Sequence, residues 1–178
     1  MLTFAILSAQ CRAVSQATFE RRYPHTWLVR ELGPEDQPPP SFKTVFAGTS
    51  PGASSHTSVS RHRISSAMSG VSRQCELLPV IKRPESPWQD RILVGRALNS
   101  DIVLRDPSVS KVHAHISVQG ASTAMIHARK STNGTFLNDR PLEPFSDGVP
   151  LRSGDILRFG NIVCEFLLSA DLYRLVTR

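Results

Sequence analysis

Three short polar clusters in the second half of the chain carry side chains that together could hold a phosphate: Gly95-Arg96, Ser110-Lys111-Val112-His113 and Ser131-Thr132-Asn133-Gly134-Thr135. Arg96 supplies a planar, permanently charged guanidinium and Lys111 a second cation. Ser110 and Thr132 supply hydroxyls, and Asn133 an amide that both donates and accepts. A phosphorylated hydroxyl carries close to two negative charges and three acceptor oxygens, so one fixed guanidinium among neutral donors meets it better than a loose lysine patch does. Each hydrogen bond to a charged group contributes about 1.5 to 3 kcal/mol. Three or four of them, less the cost of ordering a ligand, suffice for roughly micromolar binding. Singly, each residue has a plain structural use, Arg96 as a surface ion-pair partner and Ser110 and Asn133 as turn formers. Their joint presence carries the information.

Such side chains need a stiff frame that ends where they begin. Arg91–Val94, Asp101–Leu104, Ala114–Val118 and Thr123–His127 are rich in β-branched or apolar residues and bounded by turn formers, which predicts strands with the polar clusters in the loops between them. Gly95 permits close backbone approach just before Arg96, which lets the guanidinium point off the end of a sheet. Upstream, Cys75–Lys82 reads as a strand whose Pro79 suits a sheet edge, and the loop Arg83–Asp90 is long for a hairpin. Downstream, Gly134–Asn138, Pro150–Leu151 and Asp155–Phe159 read as strands, with a turn at Ser153-Gly154. Asn161–Leu168 puts Ile162, Cys164, Phe166 and Leu168 on one face and Val163, Glu165 and Leu167 on the other, a strand partly buried on both sides. Asp171–Val176 reads as a short closing helix. Many short strands separated by turns predict an all-β fold, a two-sheet β-sandwich.

Gly95-Arg96, Ser110 and His113 as Ser-x-x-His, Thr132-Asn133-Gly134-Thr135, Leu151-Arg152-Ser153-Gly154-Asp155-Ile156 and Phe159-Gly160 together resemble the signature of the forkhead-associated (FHA) domain. The resemblance runs from about Leu78 to about Leu168. It implies a β-sandwich that binds phosphothreonine, with Arg96 and Ser110 on the phosphate, Lys111 assisting, Thr132 adding a hydroxyl and Asn133 holding the peptide backbone. It also implies that His113 braces the loops from below and that Gly95 and Gly134 shape them. The partners so implied are proteins phosphorylated by a Ser/Thr kinase, in an adaptor or signalling role. One departure stands out: many members carry an acidic residue shortly before the Asn-Gly, where this chain has Ala128-Arg129-Lys130. Two added positive charges do not harm phosphate capture but alter the expected peptide preference.

At 178 residues with 13 prolines and a net charge of +6, the chain holds one ordinary domain plus a sizeable extension. Four segments are expected: a short N-terminal helix/strand segment over 1–32, a flexible Pro/Ser/Thr-rich linker over 33–74, the FHA β-sandwich over 75–168, and a short C-terminal helix over 169–178. In the first, Ala17–Pro24 reads as a helix closed by its proline and His25–Glu31 as a strand, adding to the main domain. The Tyr23-Pro24-His25-Thr26-Trp27-Leu28-Val29 run resembles segments of bacterial FHA proteins. The apolar start, Met1–Ala9, is far too short to span a membrane and lacks the features of a signal peptide. The linker's threonines Thr44, Thr49 and Thr57 lie within reach of the phosphate site and, once phosphorylated, are candidate ligands in cis or in a neighbouring molecule.

Other function classes fare less well. No Ser-His-Asp arrangement with supporting motif, no glycine-rich phosphate cradle and no paired carboxylates point to catalysis, so no catalytic residue and no cofactor is expected and the chain is read as a non-enzyme. The basic residues are spread over both halves and the strands offer few exposed aromatics, which argues against specific nucleic-acid binding. Cys11, Cys75 and Cys164 form no Cys-x-x-Cys pair and read as reduced thiols of a cytoplasmic protein. His113 and His115, two apart, lack a third ligand for a metal. The alternative from a different class is a phosphate-independent scaffold module that keeps the sandwich without the reading activity.

Overall fold

The computed structural model describes residues 3–11, 13–32, 75–86, 88, 90–120 and 123–177. The expected linker over 33–74, with Thr44, Thr49 and Thr57, lies outside the described residues. The elements run α1 (Phe4–Cys11), α2 (Gln16–Arg22), β1 (Trp27–Glu31), β2 (Cys75–Pro79), β3 (Ile92–Gly95), β4 (Ile102–Val103), β5 (Ala114–Val118), β6 (Ala124–Ala128), β7 (Thr135–Leu137), β8 (Arg140–Pro141), β9 (Val149–Leu151), β10 (Asp155–Phe159), β11 (Ile162–Leu167) and α3 (Ser169–Val176). They form a β-sandwich of a six-stranded sheet, ordered β2-β1-β11-β10-β7-β8, and a five-stranded sheet, ordered β4-β3-β5-β6-β9. Among the described strands only the β3–β4 pair is parallel.

The sandwich core lies between the two sheets. Leu28, Cys164, Phe166, Leu157 and Phe159 from the first sheet pack on Val94, Ile116 and Ile126 from the second. The outer face of the six-stranded sheet is covered in turn by the helices, where Leu7, Phe19, Leu172 and Leu175 meet Trp27, Val29, Leu77 and Leu167. The chain is therefore three layers deep on that side. This explains why β1 is buried at Trp27, Leu28, Val29 and Arg30 alike. Strand alternation sends Leu28 to the sandwich core and Trp27 and Val29 to the helices. Both faces of β11 are buried for the same reason, Cys164 and Phe166 inward and Leu167 outward.

β1 sits inside the six-stranded sheet, paired with β11 on one side and β2 on the other. The N-terminal helices are laced to α3 by Ser8 Oγ donating to the Val176 carbonyl (2.8 Å), Ser169 Oγ to that of Tyr23 (2.7 Å) and Tyr173 Oη to that of Val14 (2.8 Å). α2 is N-capped by Ser15, whose hydroxyl accepts from the Thr18 amide. It stops at Tyr23, the residue before Pro24. β2, with its Pro79, is an edge strand. β8, only the two residues Arg140–Pro141, is too short to carry a strand pattern in the sequence. The Asn138-Asp139 turn, with φ of 49° and 65°, closes the β7–β8 hairpin. Cys11, Cys75 and Cys164 are buried and in no disulfide, and burial pushes the Cys164 pKa up to about 12. No helix among the described residues is long and apolar enough to cross a membrane.

Because β3, β5 and β6 pair antiparallel in succession, the end of β3, the start of β5 and the end of β6 fall at one end of the sheet. Thr135 pairs with Phe159, so the β10–β11 turn joins the same end. All three polar clusters are therefore gathered there.

Candidate functional site

The loops at this end are stitched to one another by backbone hydrogen bonds. Arg96 N–H donates to the Ser110 carbonyl (3.0 Å), Ala97 N–H to that of Lys111 (3.1 Å), and His113 N–H to that of Val94 (2.9 Å). A β-carbon at Gly95 would sit 2.2 Å from the Lys111 carbonyl oxygen, so only glycine lets the two loops approach this closely. Arg96 Nε donates to the Val109 carbonyl at 3.1 Å. That bond fixes the stem of the side chain and leaves its outer nitrogens to solvent. Arg96 and Lys111 are both exposed, and neither enters an ion pair among the described residues.

The third loop joins from the other side. Thr132 N–H donates to Ser110 Oγ at 3.4 Å, and Asn133 Nδ2 donates to the Ser108 carbonyl at 2.8 Å. The amide nitrogen of Asn133 thus holds the loop, and its oxygen is left for an outside donor. Gly134 takes a φ of 74°. Its carbonyl accepts from Gly160 N–H at 3.2 Å.

His113 lies beneath the loops, fully buried, with its ring edge on Phe159. Its Nδ1 accepts from Ser110 N–H (3.0 Å), which leaves the proton on Nε2 to donate to the Gly134 carbonyl (3.0 Å). Burial lowers its pKa, outweighing the Gly134 hydrogen bond, so the ring is neutral at pH 7. One side chain therefore joins the Ser110 loop to the Asn-Gly turn. His115 has a different environment and shares no partner with His113. It stacks on His127 across the β5–β6 pair, with ring centroids 4.4 Å apart, and burial followed by the neighbouring His127, Arg91 and Arg129 brings it down to about 4.

Two supporting residues escaped the sequence reading. Ser108 accepts from Asn161 N–H on its Oγ (2.8 Å) and is held by Asp106 Oδ1, which ties the β10–β11 turn to the Ser110 loop. Asp106-Pro107-Ser108 is a readable turn signal, an aspartate that bonds the backbone two residues on. Asp101 anchors the loop that Arg96 begins. Its carboxylate accepts from Leu93 N–H (2.7 Å), Arg83 N–H (2.8 Å) and Lys82 Nζ (3.0 Å). Burial pushes its pKa up, but these bonds outweigh burial and leave it lowered. No local pattern marks Asp101, because its partners arrive from the distant 82–93 stretch.

Arg96, Ser110 and Thr132 are thus in direct succession through hydrogen bonds. Lys111 is adjacent to Ser110, and Asn133 is fixed through Ser108. The cluster combines two cations that enter no ion pair among the described residues with a serine and a threonine hydroxyl, a donor set for a doubly charged anion, and sets the Asn133 oxygen beside them as an acceptor.

The FHA domain family model matches residues 92–160. The chain is 39% identical over 62 residues to the E3 ubiquitin-protein ligase DMA2 of Saccharomyces cerevisiae, a stretch that makes up 33% of this chain and 12% of the ligase. Among solved structures, Mycobacterium tuberculosis EmbR in complex with a low-affinity phosphopeptide aligns with 25% identity and a TM-score of 0.43, over 52% of this chain and 22% of that one. The FHA domain of the CT664 protein from Chlamydia trachomatis aligns with 17% identity and a TM-score of 0.45, over 80% of this chain and 96% of that one. The order of the blocks from Arg96 to Gly160, the two-sheet sandwich and the family match agree: residues 92–160 of this chain form an FHA domain.

Proposed function

We propose that this chain is a phosphothreonine-dependent binding module, an adaptor that docks on partners phosphorylated by a Ser/Thr kinase and acts by binding rather than by catalysis. The observation that carries the reading is the pairing of an exposed, ion-pair-free Arg96 with a stem fixed at the Val109 carbonyl. A guanidinium held in place loses little entropy when an anion arrives. In this reading Arg96, Ser110 and Lys111 take the phosphate, Thr132 adds its hydroxyl, and the free oxygen of Asn133 accepts a peptide N–H. Gly95, His113 and Gly134 hold the loops and touch no ligand.

The unit that binds is the body made by residues 3–32 together with 75–177, since β1 completes the sheet behind the site. The setting we propose is the cytoplasm, and Thr44, Thr49 or Thr57, once phosphorylated, are ligands within the same chain. Alanine at all three tests the last point, and unchanged self-association or occupancy would remove it. The central test is titration with phosphothreonine peptides, using phosphoserine and unphosphorylated versions as controls. Binding confined to phosphothreonine and lost in Arg96→Ala is expected. A folded protein that binds none of them would be a phosphate-independent scaffold.

A further inference from the structure

Beside the phosphate loops stands a residue whose conformation and exposure both work against stability. Phe145, in the β8–β9 loop, is 72% exposed. It holds a φ of 63°, in the left-handed region that bulky side chains avoid. The loop is anchored there. Phe145 N–H donates to the Ala128 carbonyl (3.1 Å), and Ser146 Oγ donates to the Glu143 carbonyl (2.8 Å). At Gly148 a β-carbon would meet the His127 ring at 2.3 Å, so the loop is pressed onto the sheet. A strained backbone that persists because its surroundings fix it, and that presents an aromatic ring to water, is the pattern of a contact residue.

The neighbours indicate what the ring would contact. The Arg129 guanidinium lies 5.9 Å from the Phe145 ring centroid. Lys130 follows it, and neither is ion-paired to a carboxylate among the described residues, although Glu143 and Asp147 share the Phe145 loop. Ala128, to which Phe145 is bonded, is four residues before Thr132, continuous with the loop that carries Thr132 and Asn133. Four residues of extended chain span at most about 14 Å, which a bound peptide covers with four or five residues of its own.

The geometry points to Phe145, Arg129 and Lys130 as a second contact point for the same phosphorylated partner, taking an apolar or aromatic side chain of the peptide with an acidic residue beside it. This deepens the phosphothreonine reading and rests on it. The apolar side chain packs on the Phe145 ring while the neighbouring carboxylate meets Arg129 and Lys130, the two charges that stand where many FHA domains are acidic. Specificity beyond the phosphate would then come from a loop outside the three that hold it.

The test is selection from a phosphothreonine peptide library, degenerate on both sides of the phosphothreonine, with the full chain and with Phe145→Gly and Arg129→Glu. The best selected peptide and a phosphothreonine peptide with alanine flanks are then titrated against each protein. The parent chain should prefer the selected peptide by about tenfold, the weight of one well-packed contact. In Phe145→Gly that ratio should fall to about twofold or less, and in Arg129→Glu the acidic preference should vanish or reverse. Glycine accepts the left-handed φ, so Phe145→Gly should melt close to the parent, which separates lost contact from lost fold. The same flanking profile in all three proteins, with phosphothreonine dependence intact, would overturn the second contact point and leave the phosphate site standing. Absence of phosphothreonine binding in all three would overturn both.

Discussion

The loop end of the sandwich and its helical flank are built on opposite terms. At the loop end Arg96, Ser110, Thr132 and Asn133 are held almost entirely by hydrogen bonds between loops, with glycine at the point of closest approach and the buried His113 and Asp101 as braces. At the flank, α1, α2 and α3 are held by apolar side chains on Trp27, Val29, Leu77 and Leu167, with few polar ties. Hydrogen bonds are directional and modest in net energy, so they position exposed groups without adding much stability. Apolar burial is non-directional and large, so it stabilises without orienting anything. The difference predicts that function and stability separate by region.

The largest stability effect should come from the flank. Phe19→Ala removes a fully buried ring from the helical layer and should cost about 3 to 5 kcal/mol in urea denaturation. Phosphopeptide affinity of the folded fraction should hold. A parallel loss of affinity would mean the flank reaches the loops through β1 and β11, and the contrast would fail. Arg96→Ala should do the reverse, costing about 2 to 5 kcal/mol of phosphopeptide affinity by calorimetry, while stability stays within about 0.5 kcal/mol. An equally tight binder would remove Arg96 from the site.

His113→Ala probes the point where the two regimes meet. It opens a cavity and strands the Ser110 N–H and the Gly134 carbonyl, so a stability loss of about 2 to 4 kcal/mol is expected. A normal melting curve with lost binding would make His113 a ligand contact instead of a brace. The smallest effect is in pH. The lowered pKa values of His113 and His115, the latter about 4, lie below the unfolded value of 6.5, so the folded chain binds fewer protons than the unfolded one. Stability should be full above pH 6.5 and fall as pH drops toward about 4. The fall attributable to half-buried His115 is about 1 to 2 kcal/mol after solvent screening. A melting temperature flat across that window in the parent and lower in His115→Phe would show that the stacked pair is not strained by protonation.

Strands β3, β5, β6, β10 and β11 were legible because each is a short β-branched or apolar run bounded by turn formers, and the sandwich followed from their number. The loop positions of Gly95, Ser110 and the Asn133-Gly134 turn were legible because their residue types favour turns, and the bracing place of His113 was implied by the resemblance to the FHA domain. Asp101 was not, since its partners lie 8 to 19 residues away, and at Ser108 the turn with Asp106 was readable but the bond from Asn161, 53 residues on, was not. β8 was hidden by its length of two residues. β1 read correctly as a strand, but its seat between β2 and β11 depends on a pairing across the whole 33–74 stretch, which no local pattern encodes.

The sequence by itself therefore determined the local conformations and the inventory of the site: which stretches are strands, where the loops fall, and that an arginine, two hydroxyls, a lysine and an amide sit in those loops. These follow from propensity, alternation and side-chain chemistry, all local properties. Only the tertiary structure decided that the six-stranded sheet carries a helical layer, that His115 stacks on His127, and that Phe145 stands exposed beside Arg129. Those outcomes depend on which sheet faces meet and which strands pair, and that choice is made by the burial of apolar surface over the whole chain.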